Sequence, residues 1–350
     1  MSNTRPIAIK PRRTLLVIGG CGYIGSHMVK CLLNAGHRVV VLDDLSGGYR
    51  DALLGGELVV GDFGEREVLG ALFRSRRFDG VLHFASLIQV GESMRDPALY
   101  YRCNMAKVLT LLEAVRDHHV PALVFSSSAA VYGEPSRIPI DESHPCLPIN
   151  PYGMTKHVVE TMLRDFSAAY GLHTVALRYF NAAGADSIGR LGERHQPESH
   201  LIPLALQAAL GARPALTVFG RDYDTPDGTC IRDYVHVDDL ADAHLLALEY
   251  LWNGGASTAF NLGNGAGFSV QQVIDMVKTV SGVPVPVEES ARRDGDPARL
   301  VADATRARQV LGWAPRYGNL ETIVRHAWRW ELLRPDGWTA TRRYGNEQAT

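Results

Sequence analysis

Nowhere in the 350 residues do 18 apolar positions follow one another, so nothing in the sequence reads as a bilayer-spanning helix. Neither sign of charge dominates: 36 Lys and Arg stand against 38 Asp and Glu, a formal net charge of −2. That balance supplies no basic field to gather nucleic acid or coat a membrane, which leaves a small molecule as the expected partner. Cysteine is scarce and scattered. The five (Cys21, Cys31, Cys103, Cys146, Cys230) form no C-x-x-C pair, and such a set reads as reduced thiols of a cytoplasmic protein rather than a disulfide frame. No group of Cys, His, Asp and Glu is read as a metal site. Residues 1–13 carry Arg5, Lys10, Arg12 and Arg13 but no apolar stretch of the kind a secretory signal needs, so a loose basic tail is expected there.

What is present is enough for a large core: 46% of residues are hydrophobic. A chain above about 250 residues favours two lobes over one. Short apolar runs at Leu15 to Ile18, Arg38 to Leu42, Leu58 to Val60, Val81 to Phe84 and Leu123 to Phe125 read as strands. Helical periodicity lies between most of them, as at Ile24 to Ala35 and Leu109 to Val115. Such alternation predicts an α/β fold, a Rossmann-like doubly wound parallel sheet with helices on both faces. After Leu177 to Asn181 the rhythm changes, and residues 182–200 read as a long functional loop. The expected organisation is a sheet-forming domain over 14–181, a smaller C-terminal substrate-binding lobe over 182–333, and a polar tail over 334–350. Segments near 233–262 are expected to return to the first domain.

Gly19, Gly22 and Gly25 stand in a G-x-x-G-x-x-G turn where the first strand becomes the first helix. A pyrophosphate needs bare backbone amides at a positive helix end, and side chains there would block its approach. On its own the turn is equally a plain tight turn. Asp43, 18 residues beyond Gly25, closes the second strand near the offset of about 20 at which an acid accepts from the ribose hydroxyls. Asp44 follows it, and no arginine adjoins the pair before Arg50, which favours NAD over NADP. Tyr152 and Lys156 form Y-x-x-x-K after Asn150-Pro151, a capping pair that places both on one helical face. A tyrosine base needs its pKa brought from about 10 to about 7, roughly 4 kcal/mol, for which Lys⁺ and a nicotinamide cation are the candidate sources. Ser126-Ser127-Ser128 ends the fourth or fifth strand, where open parallel sheets place ligands. Each signal alone is weak, but the four in this order point to an NAD-dependent enzyme.

The same stretches resemble the UDP-glucose 4-epimerases of the extended short-chain dehydrogenase/reductase family, along nearly all of residues 14–333. The resemblance is carried by Gly19-Gly20-Cys21-Gly22-Tyr23-Ile24-Gly25-Ser26-His27, His83-Phe84-Ala85, Val90-Gly91-Glu92-Ser93, Phe125 to Gly133, Asn150-Pro151-Tyr152-Gly153 and Leu177 to Asn181. Tyr223 to His236, YDTPDGTCIRDYVH, is its most specific part. It implies a homodimer acting on a UDP-sugar, with Ser128 and Tyr152 carrying the chemistry. Tyr23, Ile24, Asp43, Asp62, Phe63, Phe84, Ala85, Asn104, Lys156 and Phe180 are implied NAD contacts. Asn181, His200, Leu201, Thr217, Phe219, Arg232, Arg293 and Asp296 are implied to line the sugar-nucleotide site, the two arginines as diphosphate clamps. Two positions depart from the pattern. Ile88, beside Gln89, stands where some members have a lysine, and Leu300 stands where some have a bulky tyrosine at the pocket rim. A sugar-nucleotide dehydratase would need an acid just after the strand-end serine, where this chain has Ala129-Ala130. A non-catalytic dinucleotide sensor would not need Ser128, Tyr152 and Lys156 together.

Overall fold

The computed structural model describes residues 11–293 and 297–334. Its first half runs β1 (Thr14–Ile18), α1 (Tyr23–Asn34), β2 (Arg38–Asp43), β3 (Glu57–Val60), α2 (Arg66–Ser75), β4 (Gly80–His83), α3 (Val90–Arg95), α4 (Pro97–Tyr101), α5 (Lys107–Asp117), β5 (Ala122–Ser128), α6 (Pro151–Tyr170) and β6 (His173–Tyr179). The second half runs β7 (Asn181–Ala183), α7 (Leu201–Ala209), β8 (Leu216–Phe219), β9 (Ile231–Arg232), β10 (Tyr234–His236), α8 (Val237–Trp252), β11 (Thr258–Leu262), β12 (Phe268–Ser269), α9 (Val270–Ser281), β13 (Val287–Ser290), β14 (Arg299–Leu300) and α10 (Leu320–Leu333).

Seven strands form one parallel sheet in the order β11-β6-β5-β4-β1-β2-β3. The central strands read as continuous apolar runs because both faces are covered. Leu15, Val17, Val39 and Val41 point to the side holding α1 and α8. Their neighbours Leu16, Ile18, Val40 and Leu42 point to the side holding α2, α5 and α6. The fold is thus Rossmann-like and doubly wound. Its strand order reverses between β1 and β4, and ligands of such sheets lie in the crevice beyond the carboxyl ends at that point.

Past β7 the chain leaves the sheet and comes back. α8 packs on α1, β5 and β6, and β11 adds the seventh strand beside β6. A separate apolar cluster joins α7, β8, α9 and α10 through Leu206, Val218, Val277 and Val324. Arg13, placed by its sequence in the basic tail, is anchored: its amide donates to His37 Nδ1 (3.3 Å) and its guanidinium lies 4.1 Å from the Trp252 ring centre. Among the described residues no helix is long and apolar enough to cross a membrane.

Candidate active site

The glycine turn follows β1 directly. Gly19 has φ +78°, and a Cβ there would lie 2.6 Å from the amide nitrogen of Ala85, just beyond β4. A Cβ on Gly25 would lie 2.1 Å from the Gly19 carbonyl oxygen, so α1 can start here only with glycine. Gly22 differs: its Cβ would meet nothing nearer than 3.5 Å, and it is the N-cap of α1 with no side-chain cap. The amides of that helix end therefore lack a side-chain partner, which suits a pyrophosphate.

Around this cradle lie the other expected cofactor contacts. The Asp43 carboxylate accepts from the amides of Cys21 (2.9 Å) and Leu45 (2.8 Å); burial raises its pKa and those bonds oppose the rise. Asp44 is exposed and accepts from the amide and hydroxyl of Ser46. Asp62 accepts from the Gly64 amide and from Lys107 Nζ. Phe63 meets His83 edge-on at 5.0 Å, and Phe84 lies 4.8 Å from the His244 ring. Ile24 is half-buried against the core of α1. Tyr23 donates its hydroxyl to the Gly184 carbonyl (2.6 Å), which ties the turn to the loop after β7. Asn104 holds the backbone of Leu87 through both amide atoms. Ile88 is exposed, and the neighbouring Gln89 carbonyl accepts from Tyr100.

β5 runs through all three serines, so they belong to a strand end rather than a turn. Two of them face partners elsewhere: Ser126 Oγ meets His244 Nε2 (2.9 Å), and Ser127 Oγ donates to Glu160 (2.5 Å). Ser128 alone meets Tyr152, and its hydroxyl also accepts from the Ala130 amide. α6 begins as expected, with Asn150 accepting from the Gly153 amide (2.8 Å) and Pro151 in the first turn. A Cβ on Gly153 would strike the Ala130 carbonyl at 2.4 Å, which sets this helix start directly against the residues after Ser128.

One turn on, Lys156 is buried. Its Nζ donates to the Ser126 carbonyl (2.9 Å) and lies 5.8 Å from the Tyr152 ring centre. Burial lowers its pKa to about 7. In the chain without cofactor, the lysine part of the sequence expectation is not met. Burial raises the Tyr152 pKa, and the bond from Ser128, not the charge of Lys156, opposes the rise.

Beneath the pair lies a network that the motifs did not reveal. Glu160 holds Arg178, which donates to the Tyr132 hydroxyl (2.9 Å), and Tyr132 donates to Asn261 (2.7 Å). The i, i+4 spacing of Lys156 and Glu160 was the available signal.

Backbone bonds gather the expected substrate contacts. The Asn181 amide donates to the Asp233 carbonyl, the Asp233 amide donates to the Leu300 carbonyl, and Leu300 pairs with Arg232 across β14 and β9. Leu300 and Phe180 pack on one cluster with Ala129 and Tyr132, which brings the pocket rim to the Ser128 strand end. Arg232 is buried and donates to the Ile231 carbonyl. Thr217 and Phe219 share one face of β8, and the Arg293 guanidinium stacks 4.0 Å from the Phe219 ring centre. Leu201 opens α7. His200, its N-cap residue, turns its imidazole towards Glu193 (2.6 Å) and Glu198 (3.4 Å). Asp296 lies outside the described residues. Within the YDTPDGTCIRDYVH stretch, Asp233 is a staple: its carboxylate accepts from the amides of Asn264, Gly265 and Ala302.

Residues 15–263 match the NAD dependent epimerase/dehydratase family, and the chain belongs to that family. Its relatives are more particular. The chain is similar to the UDP-glucose 4-epimerase of Halalkalibacterium halodurans, at 52% identity over 325 residues, 93% of this chain and 97% of the relative. The crystal structure of UDP-glucose 4-epimerase from Brucella ovis in complex with NAD matches with a TM-score of 0.89 and 49% identity, covering 90% of this chain and 97% of that one. The UDP-Glc/GlcNAc 4-epimerase of Campylobacter jejuni matches with a TM-score of 0.80 and 42% identity, over 91% and 98%.

Proposed function

We propose that the chain is a UDP-glucose 4-epimerase, interconverting UDP-glucose and UDP-galactose with tightly held NAD. The observation that carries this reading is the meeting of Ser128 and Tyr152 at the strand-end crevice, with Lys156 one turn along α6 and the uncapped end of α1 at the same edge of the sheet. NAD, when bound, would supply a reversible hydride acceptor for C4 and a positive charge that would draw the Tyr152 pKa down. Tyr152 takes the proton of the 4-hydroxyl and later gives it back, while Ser128 holds the same oxygen. Lys156 holds the nicotinamide ribose. Asp43 accepts from the adenosine ribose and repels a 2′-phosphate, which selects NAD. Gly19, Gly22 and Gly25 cradle the pyrophosphate. Tyr23, Ile24, Asp44, Asp62, Phe63, Phe84, Ala85, Asn104 and Phe180 shape the rest of that site.

Arg232 and Arg293 clamp the diphosphate, so that binding energy on UDP retains the sugar while the hexose turns over. Thr217, Phe219, Asn181 and Leu201 line the nucleotide side, with the backbone of His200 in place of its ring. The 14–181 domain with the returning segment 233–262 carries NAD, and the 182–333 lobe carries the UDP-sugar. The chain acts in the cytoplasm as a homodimer through α5 and α6, on which Leu109 is exposed and Val158 half-buried. Sedimentation analysis of wild type and Leu109→Asp tests that interface. Purified protein given UDP-galactose, with UDP-glucose read in a coupled assay, tests the activity. Solvent tritium entering C4 of the product would overturn it, since the hydride never exchanges.

A further inference from the structure

The connection between β7 and α7 carries Glu193, His195, Glu198 and His200, and one donor atom of each lies within 4.8 Å of all the others. We propose that these four side chains form a structural site for one divalent transition-metal ion, Zn²⁺ being the ion that two imidazole nitrogens and two carboxylate oxygens suit best. The spacing fits. A tetrahedral ion with bonds of about 2.0–2.1 Å holds its ligand atoms roughly 3.4 Å apart. Here His195 Nδ1 lies 3.1 Å from Glu193 Oε1 and 3.8 Å from Glu198 Oε1. His200 Nδ1 lies 2.6 Å and 3.4 Å from the same two oxygens.

Charge and alignment point the same way. Both carboxylates are nearly buried, each side chain 6% exposed, and side by side they demand positive charge between them. Two imidazolium protons or one divalent ion would supply it. Alignment distinguishes the two histidines, since His195 Nδ1 hydrogen-bonds Glu193 at 3.1 Å. His200 Nδ1 is buried and close to Glu193, yet the approach lacks the geometry of a hydrogen bond. A nitrogen near an oxygen but not directed at it is what lone pairs sharing a common centre produce.

The surroundings are rigid enough to hold an ion. Glu198 accepts from the amides of Ser199 and His200, and Trp330 Nε1 donates to the Glu193 carbonyl. Four protein donors fill a tetrahedron and leave no place for substrate, so the ion is structural rather than catalytic. Tyr23 of the glycine turn stands edge-on to His195 at 6.3 Å, and His200 precedes Leu201 at the start of α7. The ion thus fastens one loop between the cofactor turn and the element that opens the nucleotide side of the substrate site.

The test uses the full chain with NAD as purified. Elemental analysis is expected to find close to one zinc per chain. Dialysis against a chelator should remove it and lower the Tm, and added Zn²⁺ should restore both. Co²⁺ in its place should give the visible bands of a tetrahedral site. His195→Ala and Glu198→Gln should weaken Zn²⁺ binding by at least about 100-fold, since even the partners of ligands are worth 10–100-fold. If the variants fail to fold, the chelation and Co²⁺ experiments on wild type decide alone. Wild-type protein with no bound metal, no Tm response to Zn²⁺ and no tetrahedral Co²⁺ spectrum would overturn the proposal and leave a histidine–glutamate ion cluster only.

Discussion

Replacing Lys156 by Met should make the cofactor-free protein more stable and catalytically inert. The Lys156 side chain is 3% exposed, and its ammonium has one hydrogen-bond acceptor, the Ser126 carbonyl at 2.9 Å, with the Phe125 ring centre 4.9 Å away. Burial draws its pKa from 10.5 to about 7, and Glu160 offsets only part of that. A change of this size disfavours the charged folded state by about 4–5 kcal/mol. The sign follows from proton binding. Between pH 7 and 10.5 the unfolded chain holds the lysine proton and the folded chain does not, so this contribution to stability rises with pH. The penalty is complete below pH 7 and gone above 10.5.

Methionine keeps an unbranched apolar stem of similar length and removes the charge. It leaves the Ser126 carbonyl without its partner, a cost of about 1–2 kcal/mol. The variant should therefore be more stable by about 3 kcal/mol at pH 6 and by less than about 1 kcal/mol at pH 9. In a chain of this size the former is roughly 5 °C in Tm. Thermal and urea melts of NAD-stripped wild type and Lys156→Met at both pH values read the difference, and turnover of UDP-galactose reads the loss of function. A variant less stable than wild type at pH 6, or a stability gap independent of pH, would refute the reasoning. Such a result would mean that the ammonium is solvated or paired in the folded chain.

Tyr152→Phe should cut turnover by roughly 10²–10⁴. Only the contact with Ser128 is lost, so its Tm should stay within a few degrees and UDP-sugar affinity should hold; near-normal turnover would remove Tyr152 as the base. Gly25→Ala should destabilise by about 1–3 kcal/mol or more, because its Cβ meets backbone atoms that cannot yield. Gly22→Ala, whose Cβ would make only an ordinary contact at 3.5 Å, should fold normally and lose NAD affinity, as calorimetry on the two variants will show. Leu300→Tyr should selectively lower kcat/KM for UDP-N-acetylglucosamine relative to UDP-glucose, which wild type is expected to epimerise in addition. The N-acetyl group needs the room that the shorter Leu300 leaves beside Phe180. Wild type inert towards the N-acetylated sugar would refute this, and equal loss on both substrates would indicate misfolding.

The parts of this molecule legible in the sequence are those where one residue type answers one local demand. Gly25 is required by a 2.1 Å approach, Asn150 and Pro151 by a helix start, and the apolar runs of β1 and β2 by burial on both faces. These demands act over a few residues, so spacing exposes them. What stayed hidden depends on residues distant in sequence. Arg178 and Glu160 are ordinary charges until β6 brings one beneath the helix carrying the other, where together they hold α6 against β5 and β6. His195 and His200 sit in a stretch with no periodicity, and only the folded loop turns both Nδ1 atoms towards the same two carboxylates. The resemblance placed His200 at the substrate by its position, and it gave no sign that the ring lies against Glu193 and Glu198. The sign of the Tyr152 effect was hidden for a related reason. A helical spacing of four brings Lys156 near, but burial of the ammonium, which no spacing reveals, takes away much of the charge that was meant to lower the phenol.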